Sequence, residues 1–139
     1  KYQDAIKYLL TGVGKEKRTA QRARLLADLG YMYSMLPDYR PSIESYTKAI
    51  QLDDRAKWRA NLAAIYGKEG LWASAEFELR RAVEHDPSRT SYRTRWAQVF
   101  EHLNFQQRAD AQSVLAAWVR KRVITQSERR RLHNIIQEY

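Results

Sequence analysis

The sequence predicts an all-α chain, a solenoid of antiparallel helix pairs, and three observations carry that prediction. Two segments close alike, YTKAIQLDD at 46–54 and LRRAVEHDP at 79–87. Corresponding residues stand 33 apart: Ala49 and Ala82, Leu29 and Leu62, Tyr33 and Tyr66, Asp54 and Pro87. A fixed period in the thirties marks a stacked repeat, in which one unit cannot bury its apolar face without a neighbour. Between these landmarks apolar residues recur at spacings of three and four, and no stretch alternates as a strand would. Only five Gly and three Pro interrupt 139 residues, which leaves little chain for structureless linkers.

Each element has its own local reason. KYQDAIKYLL reads as the second helix of a preceding unit, with Ala5 and Leu9 in the places of Ala75 and Leu79, and GVGKEKR reads as a glycine-containing connection. Residues 23–36 set Leu25, Leu26, Leu29, Met32, Tyr33 and Leu36 on one helical face. Pro37 ends that helix by pushing its predecessor out of the helical region. Pro41 opens the next, where no N–H is needed, and Ile43, Tyr46, Thr47 and Ile50 form its inner stripe. Asp53 and Asp54 sit at the turn, where short acidic side chains commonly cap helices. The second unit spans helices at 56–68, with Ala60, Leu62, Ala63 and Tyr66 inward, and at 72–84, with Ala75, Leu79, Ala82 and Val83 inward; Gly70 separates them. In the third unit Trp96, Ala97 and Phe100 stand 34 residues after Leu62, Ala63 and Tyr66, and Ala109 and Ala116 match Ala75 and Ala82. A final helix over 126–138 begins at Thr125, three residues before Glu128, which is capping-box spacing. Its single apolar stripe of Leu132, Ile135 and Ile136 suits a cap with one face buried and one wet. The expected division is a single domain: 1–22 a partial repeat and connection, 23–55, 56–89 and 90–122 three repeats, and 123–139 the capping helix. Seven or eight helices and no sheet are expected.

These residues resemble the tetratricopeptide repeat, over roughly residues 1–122. That family places a large and a small residue at its seventh and eighth positions, an aromatic at its eleventh, and small residues at its twentieth and twenty-seventh. The first full unit supplies Leu29, Gly30, Tyr33, Ser42, Tyr46, Ala49 and Asp54. The second supplies Leu62, Ala63, Tyr66, Ala75, Leu79, Ala82 and Pro87. The third supplies Trp96, Ala97, Phe100, Ala109, Ser113 and Ala116, with Lys121 where Pro is common. Arg59, with Trp58 beside it, stands where the family usually carries Trp or Leu. The resemblance implies a right-handed superhelix whose first helices line a concave groove. The groove positions it implies are Arg24, Asp28, Tyr31 and Met35, then Lys57, Asn61 and Lys68, then Arg95, Gln98 and His102, with Ala27, Ala60, Ala64, Ser91 and Thr94 among them. Some members clamp a peptide's terminal carboxylate with five residues. Asn61 and Arg95 match two clamp positions, and Ala27, Tyr31 and Ser91 replace the Lys, Asn and Lys of the others.

Composition narrows the chemistry. With no Cys, disulfides, thiolate zinc sites and thiol catalysis are excluded. His85, His102 and His133 are scattered, without metal-ligand spacing, and no phosphate-cradling glycine loop occurs. The chain is therefore expected to be non-catalytic, with no metal and no cofactor. Trp58, Trp72, Trp96 and Trp118 read as packing residues between units. Net charge is +9, with ten Lys and Arg against four acids in residues 88–139. Arg120, Lys121 and Arg122, together with Arg129, Arg130 and Arg131, could meet phosphates, but no base-reading module accompanies them. No run of about 18 apolar residues suggests a membrane span, and no signal peptide is visible. The first residue is Lys rather than Met, so the chain reads as a fragment or processed product, with further repeats expected on its N-terminal side.

The resulting expectation is an interaction module or scaffold that binds a protein or peptide, acidic given the net charge, on the concave groove. The alternative is a nucleic-acid or anionic-surface adaptor that acts through the basic end. The compartment is left open between cytoplasm and cell envelope.

Overall fold

A computed structural model describes all residues, 1–139. It contains eight α-helices: α1 (Tyr2–Lys15), α2 (Thr19–Tyr33), α3 (Arg40–Leu52), α4 (Ala56–Lys68), α5 (Trp72–His85), α6 (Thr90–Gln98), α7 (Phe105–Arg120) and α8 (Gln126–Gln137). A 3-10 turn over Val99–His102 follows α6 directly. There is no strand, and no helix is long and apolar enough to cross a membrane.

Neighbouring helices pack, most closely α2 on α3 and α4 on α5. Small residues explain those two close approaches. Ala49, Ala75 and Ala82 are all fully buried, as the period of 33 predicts. Gly30 lets the Tyr46 ring lie directly on α2: a Cβ there would come within 2.6 Å of Tyr46 Cδ2. Ser42, also fully buried, donates its hydroxyl to the Gly30 carbonyl at 2.6 Å. Burial pushes the Tyr46 phenol up to about 12, against the opposing hydrogen bond from Asn61. Pro41 lies in the first turn of α3 as expected, and Gly70 takes the left-handed conformation, φ +74°, that a turn into α5 requires.

The α3–α4 turn differs from the expected cap. Neither Asp53 nor Asp54 caps α4, whose first flanking residue is Arg55. Instead Asp54 accepts from Arg59 at 2.7 and 2.9 Å, and His85 Nε2 lies 3.0 Å from its carboxylate. Arg59 also donates to Glu78 on α5 at 2.7 Å. A guanidinium with two carboxylates thus occupies the position where an apolar side chain would pack, and Trp58 beside it is buried. Hydrogen bonding to Arg59 lowers the Asp54 carboxyl, while burial raises that of Glu78 in spite of the same guanidinium.

Two further expectations are corrected. GVGKEKR is not a long connection: α1 runs through Gly12 and Gly14, and only residues 16–18 link it to α2, which begins at Thr19. Packing overrides weak helix propensity here, since Gly12 lies against Leu25 of α2. In α7 the small residues do not mark the buried face. Ala109 and Ser113 are exposed and Ala116 is half-buried, while Ala111, Leu115 and Trp118 are buried. The Trp118 ring rests against Trp96 with centroids 4.7 Å apart, and its N–H donates to Glu84 of α5 at 3.1 Å. A large indole between the helices keeps α7 from the close approach to α6 that α3 makes to α2, and α6 packs on α5 and α8 instead.

The expected start of α8 is half realised. Thr125 Oγ1 accepts the Glu128 N–H at 3.1 Å, but the Glu128 side chain turns away to Arg93 of α6 at 2.8 Å and to Arg131 at 2.6 Å. Arg131 donates onward to Thr94 Oγ1 at 3.0 Å. Full capping-box geometry occurs instead at α7, between Asn104 and Gln107. Bonds from Arg131 and Arg93 hold the Glu128 carboxyl down at about 2, against the opposing effect of burial. A depressed carboxylate stabilises the fold above its unfolded value near 4.5 and loses that contribution as pH falls toward about 2. Glu128→Gln should therefore cost about 1–2 kcal/mol at neutral pH, discounted for the exposed flank of Arg131. The melting-temperature gap from the native chain should close between pH 4.5 and 2. A gap that stays constant across that window would show that the Glu128 charge does not tie α8 to α6.

Candidate functional site

Some of the expected groove residues line two separate clefts, and Arg24, Met35, Lys57 and Asn61 line neither. Asp28 and Tyr31 of α2 line a cleft of about 380 Å³ with Ala5, Tyr8, Leu9 and Met32 between α1 and α2. Its apolar walls include Tyr8, 79% exposed, and Tyr31, 52% exposed. Partial burial pushes the Asp28 carboxyl above the ordinary range, while Arg24 and Lys57 pull it down.

The larger cleft, about 580 Å³, brings together Lys68 of α4, Arg95 and Gln98 of α6, and His102 of the 3-10 turn. Ala63, Ala64, Ala75 and Leu79 contribute apolar wall. Trp72 forms a flat panel within it, stacked on His102 with centroids 3.8 Å apart and planes 9° from parallel. Gly67 makes that possible, because a Cβ at this position would meet the Trp72 ring at 3.0 Å. Tyr139 also lines the cleft. The sequence pattern assigns Trp72 to packing and gives Tyr139 no role. The first turn of α5 is the signal available for Trp72: it follows Gly70 closely and can fold back over α4.

The two clamp-like residues are already engaged within the fold. Asn61 Nδ2 donates to Tyr46 Oη at 3.4 Å, and Arg95 Nη2 donates to the Ala60 carbonyl at 3.2 Å. Ala27 and Ala60, expected on the groove, are buried. Thr94 is turned to α8, where it accepts from Arg131. Arg24, Met35, Lys57, Ser91 and Lys68 are exposed, and Lys68 Nζ lies 5.7 Å from the Tyr39 ring centroid. Among the expected groove residues Arg24, Lys57, Lys68 and Arg95 form no close ion pair, although Arg24 and Lys57 are near enough to Asp28 to act on its carboxyl.

The basic end does not form one patch. Arg131 is spent on Glu128 and Thr94. Arg120, Lys121 and Arg122 are exposed around the turn after α7, where Arg122 takes a left-handed φ of 60°. Arg129 and Arg130 face a separate cleft between α7 and α8.

The chain matches no protein-family model and no curated protein.

Proposed function

We propose that the chain is a tetratricopeptide-like helical-repeat solenoid that acts as a protein-interaction module or scaffold and binds a peptide or protein along the groove of α2, α4 and α6. The close α2–α3 and α4–α5 pairs support the repeat reading, and the 33-residue period relates one to the other. The observation that carries the binding reading is the α4–α6 cleft. There an apolar wall and the flat Trp72–His102 pair lie beside Lys68, Arg95 and Gln98. An extended segment could lay an apolar side chain against the Ala64 and Val99 wall beside the Trp72–His102 stack and an acidic one by Lys68 and Arg95. Extended concave faces of this type bind by shape and charge, without a bond made or broken.

Peptides selected from a displayed library against the native chain test this. Lys68→Glu combined with His102→Ala should weaken selected peptides by roughly tenfold or more, as loss of interface anchors does. Lys48→Glu, on the exposed side of α3, should not. Binders indifferent to the groove pair would refute the reading. The rival, a nucleic-acid adaptor, would instead bind mixed-sequence duplex with an affinity falling steeply as salt rises.

A further inference from the structure

We infer that the cleft between α7 and α8 is a second, anionic-ligand site, built for a small phosphomonoester. Its volume is about 570 Å³ and its lining is Gln112 and Leu115 from α7 with Arg129, Arg130, His133 and Asn134 from α8. The four α8 residues follow the spacing i, i+1, i+4, i+5, which places them on one side of the helix. Five of the six carry polar donors, and Leu115 supplies an apolar floor.

The partners of the neighbouring cations sharpen the assignment. In the run Arg129–Arg131 only Arg131 has a carboxylate, Glu128, which it shares with Arg93. Arg129 and Arg130 form no ion pair and no side-chain hydrogen bond, and both are exposed. Two neighbouring guanidiniums with no carboxylate bound to them repel each other, and an anion that bridges them removes that repulsion.

Charge and geometry select the ligand. Guanidinium forks match phosphate oxygens two at a time. Two of them are neutralised by a dianion, which a phosphomonoester is near neutral pH and a carboxylate is not. His133, Asn134 and Gln112 offer further donors for the third oxygen and the ester. The volume falls in the range of small-molecule sites, so the rest of the ligand would lie toward Leu115. This site is separate from the α4–α6 cleft and does not depend on the peptide reading.

Phenyl phosphate and benzoate, titrated into the native chain at matched ionic strength, provide the test by calorimetry. Phenyl phosphate should bind, and benzoate should bind roughly tenfold weaker or worse. Arg129→Gln with Arg130→Gln should remove binding, while the chain keeps its circular dichroism and melts no earlier, since both residues are exposed. Arg120→Gln with Arg122→Gln, and the Lys68→Glu, His102→Ala groove variant, should bind phenyl phosphate as the native chain does. Absence of binding, equal binding of benzoate, or binding that survives Arg129→Gln with Arg130→Gln would each overturn the inference. So would mixed-sequence duplex DNA that depends on Arg129 and Arg130 where phenyl phosphate does not bind, since that outcome assigns the pair to a phosphodiester backbone.

Discussion

Trp96→Ala should be the most damaging single substitution, costing about 3–5 kcal/mol. The residue has no exposed surface. Its ring meets Phe100 edge-on at 4.9 Å and Trp118 at 4.7 Å, and its N–H donates to Glu76 Oε2 at 2.7 Å. Truncation would open a cavity at the junction of α5, α6 and α7. It would also strip a donor from a buried carboxylate, leaving Glu76 to Arg80 alone. Stability of ordinary domains is about 5–15 kcal/mol, so this loss is a large share of the total. Trp96→Phe keeps most of the ring and loses the N–H, so it should cost less, about 1–3 kcal/mol. Urea denaturation of both variants separates the cavity from the hydrogen bond. Equal costs would mean that packing of the indole is not what holds α6 and α7 together.

Gly30→Ala should destabilise by about 1–3 kcal/mol, although helix propensity alone would favour alanine by about 1 kcal/mol. Three Tyr46 ring atoms would lie 2.6–2.8 Å from the new Cβ, and that ring is 2% exposed with no room to retreat. Moving the helices apart would also stretch the Ser42 bond to the Gly30 carbonyl. Gly14→Ala supplies the opposite sign within the same chain. Nothing lies within 4 Å of where its Cβ would stand, so it should stabilise α1 by about 0.5–1 kcal/mol. Thermal melts of the two variants report the difference, and a stabilised Gly30→Ala would place α2 and α3 further apart than described.

These contrasts show which parts of the structure are legible in the sequence. The 33-residue period locates Ala49, Ala75 and Ala82, because a small residue at a helix crossing is a steric requirement that repeats with the unit. The repeat register also locates Trp96, Ala97 and Phe100, all without exposed surface. The same rule fails in α7, where Ala109 and Ser113 face solvent. Small residues are tolerated on a surface as well as in a crossing, so their spacing alone does not set phase. There the phase follows Leu115 and Trp118, after a 3-10 turn and a separate Asn104 cap. The end of α1 is illegible for a different reason: glycine's weak propensity is a local preference, and packing of α1 on α2 overrides it.

The candidate sites are legible as positions but not as groupings. The family resemblance implies fifteen groove positions, yet only tertiary packing shows that Asn61 and Arg95 are bonded within the fold while Lys68, Gln98 and His102 share a cleft with Trp72. Likewise six basic residues read as one patch, and only the Glu128 bonds show that Arg131 belongs to the scaffold.

The stacked Trp72–His102 pair gives the α4–α6 cleft an optical signature. The emission of an indole depends on what lies against its ring, and here the imidazole lies 3.8 Å from it. Emission from Trp72 is therefore expected to change when a ligand slides between the rings or moves His102 aside. Trp58, Trp96 and Trp118 are buried and line no part of that cleft, so their emission should stay constant. The chain thus carries both a responsive fluorophore and an internal reference, and occupancy of the cleft can be followed without attaching a dye.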